Sequence, residues 1–302
     1  MKRVLITGAG SYIGTSFEDW LRENSDTIVT DTQDMKGDAW KARDFHGYDA
    51  VFHVAGIAHA DVGKVSEERK QLYYQVNSRL AIACARKAKA DGVAQFIFMS
   101  SIIVYGESAG IGKERVITRE TPLSPANFYG DSKVKAEEGL QELADDTFHV
   151  VILRPPMIYG KGSKGNYPLL SKMARKLPFF PDVDNQRSML YIENLCKFIY
   201  LMIEEEEDGI FFPQNAEYVR TCDMVRSIAD THGRKIHMTR VFNPVLRLLG
   251  KSGGKLGGMV NKAFGNLVYE RGMSEYKEDY QVYGLEESVR RTEGQDTNKL
   301  RK

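Results

Sequence analysis

Along the first half of the chain, short apolar runs alternate with longer stretches in which apolar residues recur every three or four positions. The runs Val4–Thr7, Ile28–Thr30, Ala50–Val54, Phe96–Ser100 and Val150–Leu153 read as strands, and Thr15–Arg22, Glu67–Ala90 and Asp131–Leu143 as amphipathic helices. Brief, uninterrupted apolar runs suit strands covered on both faces. Strands separated by helices predict βαβ units, hence an α/β fold with a doubly wound parallel sheet. After Arg154 the pattern loosens into loops punctuated by Gly and Pro, with short helices. Gly209–Pro213 is one further strand. The expected organisation is a Rossmann-type domain over 1–155 and a smaller lobe over 156–302, interleaved because 209–213 returns to the sheet.

With 302 residues the chain has room for such a core and little beyond the second lobe. Acidic and basic residues nearly balance, 41 against 42, which gives no reason to expect a nucleic-acid partner. Val4-Leu5-Ile6 is too short for a signal peptide, and no later stretch reaches the ~20 apolar residues of a membrane span. Cys84, Cys196 and Cys222 are scattered without a metal-ligand spacing, as in a reducing compartment. A soluble, cytoplasmic chain without a metal is expected. One segment departs from this even picture. Arg234–Lys262 contains no acid and carries Arg234, Lys235, Arg240, Arg247, Lys251, Lys255 and Lys262, with Val245, Leu246, Leu248 and Leu249 among them. It reads either as a cationic amphipathic helix at a membrane surface or as a lobe helix with solvated cations near a phosphate-bearing substrate. The second reading is the expectation.

Candidate chemistry begins at the first strand. Val4-Leu5-Ile6-Thr7-Gly8-Ala9-Gly10-Ser11-Tyr12-Ile13-Gly14 runs strand, tight turn, helix. The backbone of Gly10, Ser11, Tyr12 and Ile13 at a helix N-terminus can then face a pyrophosphate. Gly8 would make the turn, and Gly14 would let the helix lie on the strand. An acid at the end of the second strand should accept hydrogen bonds from the adenosine ribose. Asp31 and Asp34 both qualify, because the polar segment Thr30–Asp34 hides the strand end. Such an acid favours NAD, while Lys36 leaves NADP open. Asp44 and Phe45 could bracket adenine, Asp44 on its amino group and Phe45 at its face; a turn cap is the plainer reading of Asp44.

Further on, Tyr129 and Lys133 stand one helical turn apart, so both side chains share a face. A phenol with a pKa near ~10 is a poor base at neutral pH, and a fixed ammonium one turn away favours the phenolate. The same lysine can hold the nicotinamide ribose. Upstream, Met99-Ser100-Ser101-Ile102-Ile103-Val104-Tyr105-Gly106 leaves a buried strand. A hydroxyl at that strand's carboxyl end would face a ligand crevice.

Thr7–Gly14, His53-Val54-Ala55-Gly56, Ser100–Gly106, Tyr129/Lys133 and Leu153-Arg154-Pro155-Pro156-Met157-Ile158-Tyr159-Gly160 follow one another in an order and spacing that resembles the extended short-chain dehydrogenase/reductase family, its NDP-sugar epimerase/dehydratase group. Gln186–Asn194 is similar to that family's later arginine-bearing signature. The resemblance implies Ser101 as the catalytic hydroxyl beside Tyr129 and Lys133, with Ser100 its packed neighbour. It implies Val54, Ala55 and Gly56 beneath the cofactor's ribose and phosphates, Pro156 beside the cofactor, and Asn77 bracing backbone near the site. Arg187 would bind the substrate diphosphate, for which a bidentate guanidinium is suited, and Asn166 would contact the nucleotide. The implied activity is hydride transfer at C4 of a nucleotide-linked hexose, within polysaccharide biosynthesis. A UDP-hexose 4-epimerase is preferred over an NAD(P)H-dependent 4-ketosugar reductase, and a homodimer formed by the long helices is implied too. A catalytically silent dinucleotide sensor is the alternative of another class; the intact Tyr129 and Lys133 argue against it.

Three positions depart from the family pattern. Ser11 replaces the usual middle glycine, with Gly10 one place early. Ile102 and Ile103 occupy the places of the Asp-Glu pair that dehydratases use for proton removal, which speaks against dehydration. Met157 stands where many 4-epimerases aim an asparagine at the substrate phosphate, which leaves room for a reductase.

Overall fold

The computed structural model describes residues 1–57, 65–252 and 254–294. Six parallel strands form its main sheet: β1 (Lys2–Thr7), β2 (Ile28–Gln33), β3 (Ala50–His53), β4 (Gln95–Met99), β5 (His149–Leu153) and β6 (Gly209–Phe211). Their order across the sheet is β6-β5-β4-β3-β1-β2. The chain therefore leaves β1 for β2 on one side and returns to β3 on the other. The carboxyl ends of β1 and β3 form the switch point where ligands bind in open α/β sheets. Val4, Leu5, Ile6, Val51, Phe52, Phe96, Ile97 and Phe98 are buried, as strands covered on both faces require.

β2 runs three residues beyond the apolar stretch that predicts it, through Asp31, Thr32 and Gln33 in register with Leu5, Ile6 and Thr7. It is an edge strand, so polar side chains can face water on its open side, and the hydrophobic pattern stops before the ladder does. The helix expected over Glu67–Ala90 is continuous in path but changes hand-hold midway. Glu67–Tyr73 and Leu80–Ala90 are α-helical, and Tyr74–Arg79 between them is a π-turn.

Contacts divide the chain into two units: 1–106, 122–155 and 195–213 in the first, and 107–121, 156–194 and 214–302 in the second. The expected return of 209–213 to the sheet thus begins earlier, at 195, and the excursion 107–121 joins the second unit. A helix and β6 supply that return, with β6 parallel to β5. In the first unit, the Leu80–Ala90 and Phe128–Gln141 helices pack closely, since a Cβ on Gly139 would lie 2.5 Å from Ile82 Cδ1. Neither helix exposes a large apolar side chain. In the second unit, short parallel strand pairs (Met157–Tyr159 with Met189–Tyr191, Phe179–Pro181 with His237–Thr239) accompany its helices. Among the described residues, no helix is long and apolar enough to cross a membrane.

Candidate active site

At the end of β1, Gly8 has φ +121°, and a Cβ there would stand 2.6 Å from the Ala55 nitrogen. Only glycine lets the β1 turn pass so close to the backbone that leaves β3. Gly10 has φ +70° and open space around it, so the left-handed position falls one residue earlier than the family spacing. Ser11 is consequently extended and can be an L-residue. Its Oγ accepts a 3.3 Å hydrogen bond from the Gly14 nitrogen and caps the Tyr12–Asn24 helix. Gly14 lies against Ile6 and Val54, where a Cβ would be 3.1 and 3.3 Å from their methyl groups. The turn, the cap and the helix N-terminus form a cradle fit for a pyrophosphate.

The two candidate acids on β2 separate clearly. Asp31 pairs with Leu5, two places short of the strand end, and its Oδ2 accepts a 2.7 Å hydrogen bond from the Tyr48 hydroxyl and meets Arg3 at 3.5 Å. The Tyr48 bond chiefly holds its carboxyl below the usual range, with Arg43 and Arg3 adding to it against desolvation. Asp34 follows Gln33 directly, and the Gln33 carbonyl receives the Gly8 and Ala9 N–H groups. Asp34 therefore borders the glycine turn, whereas Asp31 is occupied by the Arg3–Tyr48 cluster. The expected adenine bracket does not form. Phe45 is fully buried in the core with Met35, Trp40 and Val51, and its ring faces Lys87 Nζ at 5.0 Å. Burying the whole ring outweighs offering one face to a ligand. The exposed Asp44 takes the plainer reading, its Oδ1 accepting from the His46 nitrogen at 2.8 Å in a local turn.

The Phe128–Gln141 helix begins at Asn127, whose side chain accepts from the Gly130 nitrogen at 3.0 Å. Tyr129 therefore lies in the first turn, with Lys133 one turn on. A Cβ on Gly130 would meet the Ile103 carbonyl at 2.9 Å, so this helix end presses on the Ile102–Tyr105 turn that leaves β4. Ser101 caps that turn through the Ile103 nitrogen, and its hydroxyl lies near enough to the Tyr129 phenol to lower its pKa. Desolvation pushes the Tyr129 phenol up to about 12; Ser101 pulls it down and Tyr73 adds to the rise. The residue keeps part of its outer surface exposed, so the shift reflects the surroundings of its hydroxyl.

Lys133 is buried, and its Nζ donates a 2.7 Å hydrogen bond to the Met99 carbonyl and lies 4.6 Å from the centre of the Phe98 ring. Burial lowers its pKa to about 8, partly countered by Glu137. The ammonium stands beside Gly56, 3.6 Å from where a Cβ would be. Asn77, in the π-turn, is fully buried. Its Oδ1 accepts from the Ile57 nitrogen at 2.8 Å, and its Nδ2 donates to the Ile57 carbonyl and to Ser132 Oγ. Its side chain is spent on bracing the loop after Gly56 and has little left for a ligand. A π-turn often marks such a site, and no hydrophobic pattern announces one.

Two residues overlooked in the sequence complete the cluster. Glu137, a further turn past Lys133, binds Arg154 at 2.5 Å, and both are buried. Ser100 donates to Glu137, while Arg154 donates to the Tyr105 hydroxyl at 2.7 Å. The i, i+4, i+8 spacing of Tyr129, Lys133 and Glu137 was the available signal. Ser100, the packed neighbour of Ser101, is thus tied to this ion pair. His53 is buried with Nδ1 2.8 Å from Thr7 Oγ1, and desolvation, then Lys133, lowers its pKa to about 3.

The second unit holds the remaining candidates. Arg187 is buried and donates to Ser108 Oγ at 3.2 Å and the Gly265 carbonyl at 3.1 Å. Desolvation alone lowers its pKa, to about 10, and among the described residues no carboxylate pairs with it. Asn166 precedes the Tyr167–Lys176 helix without a side-chain cap bond. Pro156 is buried and Met157 half-buried.

Comparison with known proteins agrees with this geometry. Residues 4–211 match the model of the NAD dependent epimerase/dehydratase family. The chain is 32% identical over 275 residues to a UDP-glucose 4-epimerase of Vibrio cholerae, covering 84% of this chain and 83% of the relative. It is 32% identical over 226 residues to the N-acetyl-alpha-D-glucosaminyl-diphospho-ditrans,octacis-undecaprenol 4-epimerase of Escherichia coli O157:H7, covering 68% of this chain and 64% of the relative. In fold it is similar to the UDP-glucuronic acid 4-epimerase of Bacillus cereus, solved with NAD, at a TM-score of 0.72 and 16% identity over 99% of this chain and 100% of the other.

Proposed function

The chain belongs to the NAD-dependent epimerase/dehydratase family, and from that membership we propose that it inverts C4 of a diphosphate-linked hexose with a tightly held NAD. The observation that carries the reading is the grouping of Tyr129, Ser101 and Lys133 in one unit that also contains the glycine cradle. Bound there, the dinucleotide supplies a reversible hydride acceptor. Gly8, Gly10, Ser11 and Gly14 hold its pyrophosphate, Asp34 its adenosine ribose, and Lys133, beside Gly56, its other ribose. Tyr129 exchanges a proton with the sugar hydroxyl, and Ser101 bonds the same oxygen. Tyr129 at about 12 keeps its proton at neutral pH. That proton must pass to solvent before oxidation begins; the phenolate then takes the sugar hydroxyl proton as hydride leaves C4 and gives it back when hydride returns. Ile102 and Ile103 offer no second acid or base, so the reaction ends at proton and hydride exchange without loss of water.

An acid beside the glycine turn supports NAD over NADP. The two curated relatives support a sugar diphosphate as substrate class, whether its far end is a nucleoside or a polyprenol. Pairing of two copies through the helix face rests on the family resemblance alone, and a cytoplasmic site of action completes the reading. Met157 favours a second reading, a 4-ketosugar reductase, because it removes a polar contact from the expected phosphate position.

The deciding experiment is to purify the protein, extract and identify any retained dinucleotide, and supply UDP-glucose, UDP-galactose and their N-acetyl forms without added cofactor. C4 inversion with no net change in cofactor absorbance is expected, and Tyr129→Phe should abolish it while leaving the cofactor bound. Inertness towards all four, with NADH or NADPH consumed only when a 4-keto sugar is given, would establish the reductase instead.

A further inference from the structure

The acid-free segment 234–262 takes shape in the second unit as a short strand followed by two helices, Asn243–Lys251 and Gly254–Phe264. The first of these helices has no buried residue. Where the two meet, small groups make the contact. A Cβ on Gly257 would be 3.1 Å from the Leu249 carbonyl, and one on Gly250 would be 2.7 Å from Asn261 Oδ1. Asn261 Nδ2 also donates to the Gly250 carbonyl at 2.9 Å. Close backbone contact leaves the bulky side chains turned outward. Val241, Phe242, Val245, Leu248, Leu256 and Met259 are exposed, from 47% at Phe242 to 78% at Val241.

The exposed residues are not scattered. At about 100° per residue, Phe242, Val245 and Leu248 share one side of the first helix, Arg247 and Lys251 line the edge of that stripe beside Leu248, and Val241 stands exposed on the approach. A helix that merely solvates its cations would bury its apolar stripe; here water meets the stripe. A second copy seated on the same surface would bring another acid-free, cationic segment against this one, which Coulomb repulsion opposes. Arg240, on the approach, is already paired with Asp182 Oδ2 at 3.1 Å. The helix itself carries Arg247 and Lys251 and no acid, and an apolar stripe edged by such cations matches a surface that is apolar below and anionic above.

We infer that this helical hairpin docks the protein on a membrane surface rich in anionic phospholipid. The apolar side chains enter the headgroup boundary, and Arg247 and Lys251 lie level with the lipid phosphates. Docking is peripheral, since the helix of nine residues is only about 13 Å long against a hydrocarbon core of ~30 Å. The inference goes beyond the catalytic reading and holds whichever sugar diphosphate is used.

The test is co-sedimentation of the full chain with phosphatidylcholine vesicles made with and without phosphatidylglycerol. The wild type should sediment with the anionic vesicles and be released by high salt. Val245→Glu/Leu248→Glu and Arg247→Glu/Lys251→Glu should each weaken partition roughly tenfold or more. Both alter exposed positions, so melting temperature and activity on soluble substrate should stay at wild-type values; a variant that melts early is replaced by Val245→Ser/Leu248→Ser. Equal sedimentation with both vesicle types, or undiminished binding by the apolar variant, overturns the proposal. So does wild type left in the supernatant, which would give the face to a protein partner. Lipid-independent self-association lost in the same variant would give it to a second copy and overturn the proposal too.

Discussion

Lys133 Nζ donates a 2.7 Å hydrogen bond to the Met99 carbonyl. The lysine is anchored to the end of β4, beside Gly56, and its ammonium is desolvated enough to bring its pKa to about 8. This places its charge where a cofactor ribose is expected and leaves Tyr129 to be tuned by Ser101 and by ligands.

The depressed Lys133 pKa has a consequence for stability. Below about 8 the folded chain carries a costly buried ammonium. Between there and the unfolded value near ~10.4, the unfolded chain binds a proton that the folded chain lacks, so stability rises with pH through that window. Relative to Lys133→Met, the wild type should gain about 3 kcal/mol between pH 7 and pH 10.5. Urea unfolding of both proteins across that range measures it, and parallel profiles would show that the ammonium is not desolvated.

Glu137 and Arg154 make the second prediction. Both are buried, and Arg154 has Tyr105 as a further acceptor. Glu137→Leu leaves the guanidinium without its counter-charge and should cost about 3–5 kcal/mol in urea unfolding. Adding Arg154→Met should recover much of that loss, since an apolar pair replaces the ion pair without a stranded charge. Strictly additive losses would mean that the two side chains act independently.

The sheet was legible because its strands are buried on both faces, so their apolar runs mark them directly. The end of β2 was not, because an edge strand carries polar residues such as Asp31 and Thr32 without penalty. For the same reason the choice between Asp31 and Asp34 needed the register with β1. Tyr129, Lys133 and Ser101 were readable from spacing and from their position after a strand. The π-turn that aims Asn77 at Ile57 was not, since a single extra residue per turn leaves no trace in hydrophobic periodicity. Phe45 misled because an aromatic residue next to an acid looks the same whether its ring faces a base or the core; only its burial decides. Arg187 was read from sequence as the anion binder and Arg154 was not, and the burial of both separates them: Arg154 already has its carboxylate in Glu137, whereas among the described residues none pairs with Arg187.

That last contrast yields the prediction most diagnostic of substrate. Arg187 is buried, its pKa is lowered to about 10 by desolvation, and among the described residues its guanidinium is held by the Ser108 hydroxyl and the Gly265 carbonyl without a carboxylate. A buried cation without an anion is unfavourable for the fold by itself, so its retention is best explained by an anionic ligand that completes it. Arg187→Met should therefore raise the substrate KM strongly, by an amount on the order of 2–5 kcal/mol in binding, with kcat and NAD affinity nearly unchanged. Arg187→Lys should recover only part, because a point charge cannot make the two parallel bonds that a guanidinium makes to a diphosphate. Urea unfolding of Arg187→Met without substrate should show a loss of no more than about 1 kcal/mol, because the variant forfeits two neutral-acceptor hydrogen bonds and sheds a desolvated charge. Steady-state kinetics, cofactor titration and unfolding together separate the roles. A variant that is strongly destabilised, with substrate and cofactor binding weakened alike, would assign Arg187 to the scaffold and remove it from the substrate site.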